Sequence, residues 1–163
     1  MRKHADGMGT SQKVLRDAGY INAAIEEFET AITILDSWEW QIDLASCFAK
    51  LENYPAAIGR GTRAINTVDT VNRAAVLGDI DAWCLMLPVP DVSRAIEAAK
   101  EANSLNRTDV RTIATYLRAL YAGRCYRQMV DLVDVIVKAS QENLQNPLLT
   151  QVSHLLHTYA SDH

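Results

Sequence analysis

The sequence has no excess of positive charge and no long hydrophobic run. Lys and Arg number 16 against 20 Asp and Glu, which gives a formal net charge of −4. Nucleic-acid readers usually concentrate positive charge, because phosphate contacts dominate their affinity, so we expect no nucleic-acid partner. No apolar run approaches the roughly 18–20 residues that span a bilayer, and the basic N-terminus has no apolar stretch behind it. We therefore expect neither a membrane span nor a signal peptide.

Cysteines are also few. Cys47, Cys84 and Cys125 lie far apart and form no Cys-x-x-Cys motif. This spacing argues against a disulfide framework and against a zinc site, and favours three small buried side chains in a reducing compartment. The expected location is the cytoplasm, with the nucleus as the alternative.

Glycine, proline and aromatic residues are scarce as well. The chain has 7 Gly and 4 Pro, its aromatic content is 7%, and apolar residues rarely alternate with polar ones at period two. These features predict an all-α fold. The hydrophobic fraction of 48% suits a folded chain. We expect one domain over residues 10–163, preceded by a disordered or expression-derived segment, residues 1–9.

No catalytic or cofactor motif is evident. Gly59-x-Gly61 lies inside a helical pattern and lacks the strand that precedes a phosphate-binding loop. His154 and His157 are three residues apart, but no third or fourth metal ligand accompanies them. The sequence therefore predicts no enzyme, no cofactor and no metal site.

One helical pattern recurs four times. Its copies are "AAIEEFETAITIL" from Ala23, "AAIGRGTRAI" from Ala56, "RAIEAAKEAN" from Arg94 and "QMVDLVDVIV" from Gln128. Corresponding residues near the start of each copy, Ala24, Ala57, Ala95 and Met129, are separated by 33, 38 and 34 residues. A second helical stretch precedes each of the last three copies. This period is typical of a solenoid of helical hairpins.

The longer middle interval has a local cause. Leu77-Gly78 corresponds to Leu44-Ala45 in the preceding repeat, so the extra residues follow Gly78. The sequence predicts a helix about one turn longer that ends before Pro88, followed by an extended "PVP" turn.

Helix caps are expected at three places. Asp91 follows a proline and can cap the next helix. Asp36-x-x-Glu39 and Asn106-x-x-Asp109 resemble capping boxes.

The repeats resemble the tetratricopeptide repeat family, whose second helices carry Ala-x3-Phe-x2-Ala. Ala24, Phe28 and Ala31 match that pattern directly. Looser matches are Ala57, Gly61 and Ala64; Ala95, Ala99 and Ala102; and Met129, Val133 and Ile136. The resemblance covers residues 10–139 and implies a right-handed α-solenoid of about four hairpins. A C-terminal capping helix would begin at Asn146-Pro147.

Three tryptophans invite separate interpretations. Trp40 lies near the family's tryptophan position and is expected to pack between hairpins. Trp38 is expected to precede its helix as an N-terminal staple. Trp83 falls near the extended turn, where it packs in the core or serves as a ligand-facing anchor.

In this family the first helices of the hairpins line a concave groove. The corresponding residues here are Glu39, Ile42, Asp43, Ser46, Lys50, Asn72, Val76, Asp79, Arg111, Thr115, Arg118 and Tyr121. Arg111 and Arg118 are seven residues apart, so they share a helix face and are expected to meet a carboxylate of the ligand. The alternative is that these residues are ordinary exposed polar side chains.

One subgroup of the family binds the C-terminal carboxylate of chaperones through Lys, Asn and Arg residues. This chain departs from that pattern, because Asp43 replaces an Asn and Leu77 and Asp81 replace the basic pair. An acidic chaperone tail is therefore not the expected ligand.

The resemblance implies a scaffold or adaptor that binds a peptide or helix of another protein, as a segment of a larger regulatory or signalling protein. A loose similarity to RNA-binding pentatricopeptide repeats, in "TIATYLRALYAGRCYRQMVDL", offers a second reading. A homodimerising structural domain is the third. For the first reading, we expect charge reversal at Arg111 and Arg118 to weaken partner capture while leaving helicity and melting unchanged.

Overall fold

The protein is represented by a computed structural model that describes residues 19–141 and His154. Within residues 19–141 the chain forms seven α-helices and no strand. They are α1 Ile21–Ile34, α2 Trp38–Lys50, α3 Tyr54–Ile65, α4 Thr70–Leu85, α5 Val92–Leu105, α6 Val110–Ala122 and α7 Tyr126–Gln141. The all-α prediction is confirmed. Residues 1–9, the first helix of the first repeat and the C-terminal capping helix lie outside the described range, apart from His154.

The helices form a stack of hairpins. Helices α2 and α3, α4 and α5, and α6 and α7 pair within repeats, and α1 is the second helix of the repeat before them. The second helices α1, α3 and α5 also pack against the first helix of the next repeat, and α4 packs directly against α6. The chain is therefore a helical-repeat solenoid, as the spacing of the four copies predicts.

Small residues occupy the places where successive helices cross. Ala24, Ala57 and Ala95, which open the second helices, are all fully buried, and Met129 is 8% exposed. Seven positions later on those helices, Ala31, Ala64, Ala102 and Ile136 are also buried. Because the distance between two packed helices follows the side chains at their contact, alanine lets neighbouring helices approach closely.

Gly61 shows why one repeat lacks the family's aromatic residue. It stands where α1 carries Phe28, and a Cβ at Gly61 would lie 3.0 Å from Cγ1 of Ile80 and 3.1 Å from Cζ3 of Trp83. The Trp83 ring therefore occupies the space that an aromatic residue fills in the first repeat. Trp83 lies in α4, before the turn, and packs against the core.

The other two tryptophans also pack. Trp40 lies on α2 and packs against the cluster that α1 and α2 form together, as expected for a residue between repeats. Trp38 is the first residue of α2, so it does not precede the helix as the sequence suggested. It packs against the cluster that includes Val76, Leu77 and Ile80, which we call the central core.

The tight turns share one backbone device. Gly19, Glu52 and Arg124 have φ of 84°, 58° and 56°, and each lies two residues before a second helix. In the last hairpin the Cys125 N–H donates to the Leu120 carbonyl at 2.8 Å. This is the hydrogen-bond pattern with which a left-handed residue ends a helix, and it reverses the chain within a few residues.

The predicted lengthening of the first helix in the long repeat is confirmed. Helix α4 has 16 residues, whereas α2 and α6 have 13 each, and it ends at Leu85, before Pro88. Trp83 and Leu85, in the added turn, pack against the hydrophobic core.

The helix caps agree with the sequence in part. Asp91 caps α5, accepting from the Arg94 N–H at 3.2 Å. Helix α2 is capped by Ser37 instead of Asp36, and α6 by Asp109 instead of Asn106. Several residues able to cap stand together before each helix, so the sequence pattern alone misplaced the cap.

The exchange of bulk between Gly61 and Trp83 can be tested. Gly61→Phe should lower the free energy of unfolding by about 1–3 kcal/mol, because the new ring overlaps Trp83 and Ile80. Combining it with Trp83→Ala should cost less than the sum of the two single changes by about 0.5–3 kcal/mol. Urea unfolding measures each term.

Gly59→Phe is the control, since nothing lies within 4 Å of a Cβ at Gly59 on the same helix. Strictly additive costs for Gly61→Phe and Trp83→Ala would contradict the shared space.

Candidate functional site

An open groove of about 700 Å³ lies between α4 and α6. We call it the α4–α6 groove. The end of α5 and the connection before α6 contribute further residues. Its lining includes Val71, Ala74, Ala75, Gly78, Asp79 and Ala82 of α4, Leu105 and Asp109, and Arg111, Thr112, Thr115 and Arg118 of α6.

Glycine opens the middle of this groove. Gly78 lies within α4, and nothing stands within 4 Å of the place where its Cβ would be. Alanines at 74, 75 and 82 flank it on the same wall. These small side chains leave open space beside α4 that another polypeptide chain can occupy.

Four of the twelve predicted site residues meet in the groove. They are Asp79, Arg111, Thr115 and Arg118. The five predicted residues of α2 do not line it: Glu39, Ile42, Asp43, Ser46 and Lys50. Ile42 packs against the central core, and the Ser46 hydroxyl donates to the Ile42 carbonyl at 2.9 Å. Glu39 and Lys50 are exposed elsewhere on α2.

The remaining three predicted residues have other contacts. Val76 is 2% exposed and belongs to the core, so its assignment to the groove was wrong. The Asn72 amide donates to the carboxylate of Asp69, which caps α4, at 2.9 and 3.0 Å. Tyr121 packs edge-to-face on Tyr126, with ring centroids 6.3 Å apart.

Several lining residues were missed by the sequence analysis. Val71, Ala75, Gly78 and Ala82 share the helix face of Asp79, at offsets of −8, −4, −1 and +3. Extending that face by the helical period would have found them. Leu105 comes from α5, and only the packing of the repeats brings it to the groove.

A partly buried ion pair joins the two walls. Asp81 of α4 is fully buried, and Nη2 of Arg118 donates to its Oδ2 at 2.6 Å. Burial raises the pKa of the Asp81 carboxyl, and the Arg118 guanidinium opposes that rise. Asp81 is therefore a paired charge beneath the wall, and the groove does not meet a bare carboxylate there.

Arg118 both stabilises the buried Asp81 carboxylate and lines the groove. Its side chain is 46% exposed and lines the α4–α6 groove while it holds Asp81. The expectation that its charge reversal leaves melting unchanged must be revised, because a second carboxylate would then face Asp81.

The other groove charges differ in their surroundings. Arg111 lies 3.6 Å from Asp109, and its side chain is 91% exposed, so the pair contributes little to stability. Desolvation raises the pKa of Asp79. Within residues 19–141 no hydrogen bond or ion pair reaches the Asp79 carboxylate.

Two of the three cysteines are buried free thiols. Cys47 and Cys84 are buried, as predicted, whereas Cys125 is half-buried. Burial raises the pKa of Cys84 to about 11, which keeps that thiol protonated.

The described residues contain neither a candidate metal site nor a candidate membrane span. No group of three or more His, Cys, Asp or Glu there is placed to hold a metal ion. None of their helices has the length and apolarity needed to cross a membrane.

The Asp81–Arg118 pair predicts an asymmetric response to mutation. Because the folded state raises the Asp81 pKa, its charge opposes folding, and this cost grows as the pH rises through that pKa. Asp81→Asn should therefore leave stability near neutral pH unchanged or higher. Arg118→Met strands the buried carboxylate and should cost about 2–3 kcal/mol, below the usual range because Arg118 is half exposed.

The double variant Asp81→Asn/Arg118→Met should recover most of that loss, as measured by urea unfolding at neutral pH. Equal losses for Arg118→Met with and without Asp81→Asn would show that the pair is not coupled.

No protein-family model matches the chain, and no curated protein matches it. Solved structures do. Two crystal structures of MamA superpose with TM-scores of 0.69 and 0.64, at 19% and 20% identity. The matches cover 88% and 96% of this chain, and 76% and 81% of those chains.

YrrB, described as a TPR protein with an unusual peptide-binding site, superposes with a TM-score of 0.65 at 12% identity. The match covers 92% of this chain and 74% of YrrB. These superpositions show a shared fold, and at such low sequence identity they do not identify the ligand. The chain has the fold of the tetratricopeptide repeat proteins.

Proposed function

We propose that the protein is an interaction module that binds a peptide or helix of another protein in the α4–α6 groove and catalyses no reaction. The observation that carries this proposal is the open groove of about 700 Å³ between two first helices. Its length suits such a ligand. The α4 wall from Thr70 to Ala82 extends about 18 Å, the length of about 12 residues of helix or about six extended residues.

The chemistry of the walls supports a polypeptide ligand. Val71 is 89% exposed and Leu105 is 40% exposed on the same groove. Burying these side chains under a ligand removes apolar surface from water, which favours binding. Thr115, Asp79 and Arg111 offer polar groups that can set the orientation of the ligand.

The fold comparison agrees with this class of ligand, since YrrB is described as having a peptide-binding site. The groove charges oppose RNA as the ligand. Both groove arginines already face carboxylates, so the surface has no excess of positive charge for a phosphate backbone. The three widely separated cysteines favour a reducing compartment, so we place the module in the cytoplasm or nucleus. Resemblance to scaffold proteins of this fold favours a segment of a larger regulatory or signalling protein.

Filling the space above Gly78 tests the groove directly. Random peptides of about 12 residues would be selected on the wild-type protein and measured by fluorescence anisotropy. Gly78→Gln places a long side chain in the groove and should weaken their binding by about tenfold or more. Gly78→Ala is the matched control and should bind like the wild type.

Both variants should fold, since a Cβ at Gly78 meets nothing within 4 Å and both residues favour helix over glycine. Equal affinities of the Gln and Ala variants would contradict the proposal, as would the recovery of no peptide at all. A shift to dimers in sedimentation, without peptide binding, would favour the homodimer alternative.

A further inference from the structure

The charges of the α4–α6 groove do not balance internally. Arg111 faces Asp109 at 3.6 Å, and Arg118 faces Asp81 at 2.6 Å. Asp79, on the same wall as Gly78, is left over. Among the described residues, no cation or hydrogen-bond donor reaches its carboxylate.

When the repeats are aligned, Arg118 of α6 corresponds in position to Asp79 of α4. The two residues are 39 apart, the same interval that separates Leu77 from Tyr116 in adjacent first helices. Yet Arg118 donates to Asp81, which is fully buried, whereas Asp79 is exposed to the groove. A buried carboxylate without a partner costs more than an exposed one, so Arg118 is held where it is.

We propose that the groove selects a polypeptide segment carrying a Lys or Arg side chain, which pairs with Asp79 when the ligand covers α4. This inference rests on the proposed function and names the chemistry of its ligand. It reverses the charge expected from the sequence, where the two arginines were to meet a carboxylate.

Two features of the wall support this assignment. Surrounding protein already removes part of the hydration of Asp79, which raises its pKa. A ligand that covers the groove removes more water, so an uncharged or acidic group opposite Asp79 would be penalised and a cation favoured. Gly78 and Ala82 leave room beside Asp79 for the long side chain of Lys or Arg.

The test uses the random-peptide selection with altered charge at Asp79. Peptides selected on the wild type should be enriched in Lys or Arg at one position. Asp79→Asn keeps the shape of the side chain and should weaken those peptides by about tenfold. A fresh selection on Asp79→Lys should enrich Asp or Glu at that position instead.

Glu97→Gln is the matched control, because it removes one negative charge from an exposed carboxylate on α5 that lies outside the groove. It should leave peptide affinity unchanged. Melting temperatures of the Asp79 variants that are no lower than that of the wild type show that the readout reports binding.

The outcomes separate this inference from the proposed function. Peptides that Gly78→Gln blocks, but that show no basic preference and tolerate Asp79→Asn, overturn the pairing with Asp79 and leave the groove in place. Peptides enriched in acidic residues on the wild type overturn it too. Binding that Gly78→Gln does not affect overturns the groove itself, and the inference with it.

Discussion

Close approach of helices through small side chains is the constraint on which the rest of this structure depends. Alanines open three of the four second helices and are fully buried. With no atoms beyond Cβ, they let a second helix lie against its own first helix and against the next repeat. Residues about 34 positions apart therefore repeat one contact, and the hairpins stack with three hydrophobic clusters between them. Where a helix is short of bulk, as at Gly61, a neighbour such as Trp83 supplies it.

Small side chains on the solvent-facing side of α4 also create the groove. Gly78 and the alanines beside it face α6 across open space instead of packing. The groove lining on α4 extends from Thr70 to Ala82, over most of that helix. The ion pair between buried Asp81 and half-exposed Arg118 links that wall to α6. Because Arg118 is paired with Asp81, Asp79 is the unpaired charge that a ligand would meet among the described residues of the groove.

Much of the fold was predictable from sequence, because the repeat spacing and the buried alanines are local and periodic signals. The longer α4 and its end before Pro88 followed from the spacing alone. The groove was predicted less well. Of the predicted residues, the groove contains Asp79, Arg111, Thr115 and Arg118. The five residues of α2 failed because the groove lies between α4 and α6, and Val76 failed because its neighbour Ala75 is on the groove face instead. The partner of Arg118 depends on a contact between residues 37 apart, which no local pattern reveals.

The central claim, that buried alanines control helix packing, is tested most directly by the unfolding free energies of two matched variants. Ala57 and Ala23 lie near the starts of α3 and α1, the first fully buried and the second exposed. Ala57→Leu should lose about 1–3 kcal/mol by overpacking the hairpin, whereas Ala23→Leu should change stability by less than about 0.5 kcal/mol. Equal effects of the two substitutions would contradict the account.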